Sequence, residues 1–179
     1  VATVGEGTAQ GGTFDYFDDG GNQLRDSILG ANEWFNDLGN GNAQEWVGWL
    51  VAEPTITFTF SSSVTINRVE IGFNRSQPSA IFLPATVRIG GVPFTLAGSE
   101  LPDTTRGFLT FSGTFTGISL TIELLDMSTA RWIFTDEFRF FDDNGTPPPG
   151  DPVIPEASTM ILLGCGLVLM GLLRPLRHR

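Results

Sequence analysis

The sequence predicts an all-β domain, an antiparallel β-sandwich or jelly roll, followed by a proline-rich linker and one short hydrophobic C-terminal helix. Three observations carry that prediction. Apolar residues recur with a period of two in a series of short runs between Val47 and Phe141, as strands with one buried face require. Gly, Pro, Asn, Asp and Ser punctuate the runs, and no stretch between them has the 3.6-residue period of an amphipathic helix, so an alternating strand–helix sheet is not expected. Near the C-terminus, residues 157–173 carry no charge and run directly into a basic end.

In chain order, residues 1–21 form an irregular, Gly-rich segment in which Asp15, Asp18 and Asp19 precede Gly20-Gly21. These aspartates lack the spacing of an EF-hand loop and read as solvated turns, as does Asp142-Asp143-Asn144-Gly145. The domain spans residues 22–142, with a helical turn expected near Leu24–Leu29. In its first regular run, Ile56, Phe58 and Phe60 alternate with Thr55, Thr57 and Thr59. Further runs cover Val64–Phe73, Ala85–Ile89, Val92–Leu96, Gly107–Phe111 and Ile118–Leu124. In the last run Trp132, Phe134, Phe138 and Phe140 alternate with Ile133, Thr135, Glu137 and Arg139. Even spacing of short strands with polar turns is the pattern of a sandwich.

Composition excludes several functions. The 179 residues hold 20 acidic side chains against 10 arginines and no lysine, a net charge of −10, so the chain lacks the basic stripe of a nucleic-acid binder. A single Cys165 rules out an intramolecular disulfide framework and a thiolate metal cage, and a single His178 rules out a serine or cysteine triad and a histidine zinc site. Any bound metal would therefore have oxygen ligands. With 20 acids some carboxylate pair will fall at glycosidase spacing by chance, so their number does not indicate catalysis, and no enzyme is expected. The 15 Phe supply a sizeable core.

The charge is divided: residues 1–156 hold 7 Arg and 20 acids, whereas residues 157–179 hold 3 Arg and none. A 17-residue helix over 157–173 would span about 25 Å, enough to reach across the core of a thin bilayer. Arg174, Arg177 and Arg179 would stop it on the cytoplasmic side and leave the domain outside. Before it, the Pro/Gly-rich residues 143–154 form an extended linker. The order Pro155-Glu156-Ala157, short apolar helix, Arg-rich end over residues 155–179 resembles the PEP-CTERM sorting signal of exopolysaccharide-producing Gram-negative bacteria, although that family usually has Pro in place of Ala157. The resemblance implies export, transient anchoring in the inner membrane, processing by a membrane-embedded exosortase, and delivery to the outer surface or extracellular matrix. The plain alternative is a permanent single-pass anchor. Cys165 follows Leu162-Leu163-Gly164 like a lipoprotein cleavage box, but such boxes stand at the N-terminus, so it reads as a small residue in a membrane helix. The chain opens on Val1 without an initiator Met, which fits either a mature end or a fragment.

Within the domain, Leu24-Arg25-Asp26-Ser27, Trp34, Trp46-Val47-Gly48-Trp49, the Thr55–Phe60 and Val64–Val69 runs, and Arg131–Phe138 stand in an order that resembles the galactose-binding-like, or discoidin-like, sandwich. That resemblance implies a structural calcium ion between an early Asp loop and an acid on the last strand. The corresponding positions are Asp26 and Glu137, with a backbone carbonyl near Leu24 and the Asn32 side chain completing an oxygen shell. Where the family often has Asp-Gly, this chain has Asp26-Ser27, which predicts a differently shaped loop. Asp26 capping a turn and Glu137 facing solvent is the simpler alternative.

Trp34, in a polar loop, is the tryptophan expected to be most exposed, either as a platform for a sugar face or as ordinary packing; Trp49 and Trp132 are expected in the core. Arg75, Arg88 and Arg106 are candidates for anionic sugars, and Asn74-Arg75-Ser76 and Asn144-Gly145-Thr146 match glycosylation acceptors. The functional expectation is a non-catalytic surface or matrix protein that binds exopolysaccharide. The alternative is a structural protein that associates with itself through sheet edges, which the absence of lysine would leave unprotected.

Overall fold

A computed structural model describes residues 2–4, 18, 23–31, 34, 38–39, 42–43, 45–50, 53–125 and 131–148. Its strands are β1 (Ala2–Val4), β2 (Leu38–Gly39), β3 (Asn42–Ala43), β4 (Val47–Leu50), β5 (Thr55–Arg75), β6 (Thr86–Ile89), β7 (Val92–Thr95), β8 (Thr105–Leu125) and β9 (Trp132–Phe141). β2 and β3 pair only with each other; the rest form one antiparallel sheet in the order β4-β9-β5-β8-β6-β7, with β1 also on β5. The chain is all-β, as its periodicity predicts.

Two 21-residue strands, β5 and β8, organise the sheet by pairing along their whole length. The first part of β5 is flanked by β1 and its second part by β9, while the last part of β8 carries β6 and β7. Phe58, on the first part of β5, packs against Phe138 and Phe140 of β9 with ring centroids 5.0 and 4.9 Å apart. The sheet therefore folds over on itself in a sandwich-like way, with its apolar side chains between the two halves. Ile56, Ile71, Phe73, Val87, Ile89, Ile122 and Leu124 are fully buried there. The β6–β7 turn is closed by Gly90 and Gly91, both at positive φ (54° and 86°), the conformation that a two-residue hairpin needs and glycine adopts freely.

Separate runs in the sequence prove to be continuous strands. Thr55–Phe60 and Val64–Phe73 are one strand, as are Gly107–Phe111 and Ile118–Leu124. The breaks seen in the sequence are register shifts, between Thr59 and Val64 and between Ile66 and Arg68, where an extra residue bends the ladder without ending it. Each shift also changes which residues face inward: on β5 the core residues are Ile56, Phe58, Phe60, Val64 and Ile66, then Val69, Ile71 and Phe73. A fixed period of two cannot represent that change.

The same effect divides β9. Phe138 and Phe140 enter the main core, whereas Trp132 and Phe134 belong to a second cluster with Trp46, Ile81 and Trp34. The four aromatics read from the sequence as one face thus occupy two. Trp49 lies in the main core as expected, and half-buried Trp132 in the second cluster. Asn74 is fully buried on β5, which removes Asn74-Arg75-Ser76 as a glycosylation acceptor. Asn144 is exposed in a turn in which Asp142 Oδ1 accepts the N–H groups of Asn144 and Thr146, both at 2.8 Å. No helix among the described residues is long and apolar enough to cross a membrane, and the expected helix over 157–173 lies outside them.

Candidate functional site

The irregular point of β9 is where its charged residues collect. Ile71 pairs with Phe138 and Phe73 with Thr135, so Asp136 and Glu137 together face the single residue Gly72. This two-against-one bulge brings consecutive carboxylates into a buried position, Asp136 at 0% exposure and Glu137 at 3%. Space for them comes from Gly72, where a Cβ would lie 1.9 Å from Asp136 Oδ1 and 2.7 Å from Arg106 Nη2.

Asp136 is fully engaged. Arg106 of β8 donates from Nε to Asp136 Oδ2 at 2.7 Å and from Nη2 to Oδ1 at 3.1 Å, a two-bond fork. The Gly30 backbone N–H donates to the same Oδ2 at 2.8 Å. Burial raises the Asp136 carboxyl above its ordinary range even though the Arg106 guanidinium pulls it the other way.

Glu137 is held differently. Its Oε2 accepts the Ser27 backbone N–H at 3.0 Å, and no arginine forms an ion pair with it among the described residues. Burial pushes its carboxyl up to about 7 from the ordinary 4.5; the Ser27 N–H opposes the rise and the nearby Asp26 charge adds to it. Asp26 Oδ1 accepts the Ile28 N–H at 2.8 Å, which shapes the loop as an Asx turn. Ser27 itself sits at φ 66°, the left-handed conformation that glycine takes without cost, so serine at this position keeps a glycine-like turn. Two hydrogen bonds, from Ser27 and Gly30, therefore tie the loop at 26–30 to the closing strand.

Of the expected ligand set, the structure brings Asp26 and Glu137 together, and it buries the Leu24 side chain completely. Asn32 lies outside the described residues. Among the described residues no three acidic, His or Cys side chains form a cluster able to hold a metal, because Asp136 turns to Arg106. The donors that suit a hard cation are thus two carboxylates plus loop carbonyls. Two acids sharing one buried position, one of them destabilised as an anion, form a site whose charge a divalent cation would neutralise.

The other candidates divide. Trp34 is half-buried, packed edge-on against Phe134 at 5.8 Å, so it is less open than its polar loop predicts. All three candidate arginines have internal partners: Arg75 reaches the Leu101 carbonyl at 3.2 Å and Asp103 at 3.9 Å, Arg88 pairs with Glu123 at 3.1 Å, and Arg106 with Asp136. None presents the unpaired guanidinium expected of a reader of anionic sugars. Pro155, Glu156, Ala157, Arg174, Arg177 and Arg179 lie outside the described residues.

Sequence reasoning missed Asp136 and Gly72. The signal was two consecutive acids, Asp136-Glu137, between Thr135 and Phe138 in a strand otherwise rich in aromatics. Consecutive charges cannot both face solvent on a regular strand, so the pair marks a bulge. No family model matches the chain, and no curated protein matches it.

Proposed function

We propose that this chain is an exported, non-catalytic protein of the outer cell surface or extracellular matrix, sorted by a PEP-CTERM-like signal and binding polysaccharide through a galactose-binding-like sandwich. The observation that carries the sorting half is the order at the C-terminus: Pro155-Glu156-Ala157, an uncharged stretch over 157–173, then Arg174, Arg177 and Arg179. In this reading an exosortase-type enzyme processes the chain while its C-terminal helix rests in the inner membrane. The domain half draws support from the contact between Ser27 N–H and Glu137 Oε2, which closes the early loop onto the last strand.

In the same reading Asp26 and Glu137, with a carbonyl near Leu24 and the Asn32 side chain, hold a structural calcium ion. The ion supplies charge neutralisation, and the protein's own residues anchor the loop. Self-association through sheet edges is the second reading. Its edge strand β7 carries Pro93, which lacks a backbone donor and blunts that edge, so polysaccharide binding is preferred.

The expected result in producing cells is recovery of the protein with washed surface material and its release when the exopolysaccharide is enzymatically degraded. Retention in the cytoplasmic fraction would contradict export, and retention on the surface after degradation would favour self-association or a permanent anchor.

A further inference from the structure

We propose that the open cleft between the β6–β7 turn and the bend of β8 is a subsite for a neutral sugar; this rests on the polysaccharide-binding reading above and locates it. The cleft exists because the ladder between the two long strands is interrupted: Thr59 pairs with Ser119, and the next pair is Val64 with Gly117. Where pairing lapses, the strands separate around a volume of about 460 Å³. Small-molecule sites occupy roughly 300–1,000 Å³, so the space suits one or two sugar rings.

Its surfaces are of two kinds. Phe60, Phe115 and Leu120 form an apolar floor, nearly buried in the free protein. Thr114, Thr116, Ser119 and Thr121 bring hydroxyls to the walls. Three of these hydroxyls are already oriented by neighbours across the ladder: Thr116 by Thr65 at 3.1 Å, Thr121 by Thr57 at 3.3 Å, and Thr114 by Asn67 at 3.3 Å. Asn67 donates to Thr114 Oγ1, which leaves that hydroxyl's own proton for a ligand. Hydroxyls fixed before binding lose little entropy on complex formation.

The lip is bare backbone. Gly90 lets the turn settle on Phe115, whose ring atom would lie 2.9 Å from a Cβ there, while a Cβ on Gly91 would meet nothing within 4 Å. Val92, on the lining, is 47% exposed, and Ile118, between lining residues Gly117 and Ser119, is 62% exposed. Apolar exposure beside a cleft with hydroxylated walls matches a pyranose, which has apolar C–H faces and a hydroxyl rim.

Charge selects the class. No ionisable side chain lines the cleft, in a chain of net charge −10 whose candidate arginines are all paired internally. A uronate or sulfated sugar would find no counter-charge there, whereas a neutral sugar loses nothing.

The test titrates the full chain in detergent micelles with lactose, with cellobiose, with neutral exopolysaccharide fragments from producing cells, and with an oligogalacturonate. The amide resonances of Gly90, Gly91 and Gly117 are followed by NMR. Neutral fragments are expected to shift these amides, Ser119→Trp to weaken binding at least tenfold by filling the cleft, and Trp34→Ala to leave it unchanged. Following the glycine amides of the unaltered chain keeps the test decisive if Ser119→Trp folds poorly. Neutral binding that shifts other amides and survives Ser119→Trp would overturn the cleft while leaving polysaccharide binding intact. Binding of oligogalacturonate alone would overturn the neutral class. No binding of any saccharide would remove the polysaccharide reading itself, and the cleft with it.

Discussion

Replacing Gly72 with alanine is expected to destabilise the domain by about 3–5 kcal/mol, the cost of breaking a buried ion pair from one side. The new methyl group would sit 1.9 Å from Asp136 Oδ1 and 2.7 Å from Arg106 Nη2, and neither neighbour is a loose chain end. Asp136 is fully buried, bound by two arginine nitrogens and the Gly30 N–H, so moving it strands a carboxylate, a guanidinium and a backbone donor together. A domain of this kind has roughly 5–15 kcal/mol of total stability, so the change would use up much of it. Gly98→Ala is the control: Gly98 also has an unusual backbone (φ 78°), but nothing lies within 4 Å of its Cβ position, and about 1–2 kcal/mol is expected there. Urea unfolding of the two variants compares them directly. Equal losses would mean that the ion pair does not rest over Gly72.

The second large effect is a dependence of stability on pH that calcium reverses. Glu137 titrates near 7 in the folded protein and near 4.5 when exposed, so between those values the folded state holds a proton that the unfolded chain has released. The unfolded state then binds fewer protons, and stability falls as pH rises through that window. A shift from 4.5 to about 7 is worth on the order of 3 kcal/mol at its limit. Asp136, also raised, acts with the same sign. In a chelator the urea midpoint is therefore expected to be higher at pH 5 than at pH 8. Calcium binds the ionised carboxylates and only the folded loop presents them together, so millimolar calcium is expected to raise the midpoint at pH 8 and to do little at pH 5. Glu137→Gln should remove most of both responses. A midpoint at pH 8 that ignores calcium would rule out a calcium site formed by Asp26 and Glu137.

The parts of this molecule that were legible in the sequence are those governed by local period. Ile56, Phe58 and Phe60 announce a half-buried strand because each inward residue is followed by an outward threonine, and the structure keeps that pattern. Illegible were the places where one residue is added. The change from Ile66 to Val69 on β5 and the division between Phe134 and Phe138 on β9 depend on how a strand meets its partner, which no single run encodes. The approach of Asp26 to Glu137 is a contact across more than a hundred residues, and it was foreseen only through resemblance to a fold with that closure. The partnership of Asp136, Arg106 and Gly72 joins three strands and was not foreseen. The cleft also escaped notice, because it arises from a lapse in pairing between Thr59 and Val64 and not from any motif.

Export and sorting are tested most directly by the intact mass and C-terminal peptide of the protein recovered from cell-surface and secreted fractions. A C-terminus close to Pro155-Glu156-Ala157, with residues 160–179 missing, is the predicted result. Protein in those fractions that still ends at Arg179 would contradict sorting by cleavage and would make the chain a permanently anchored one.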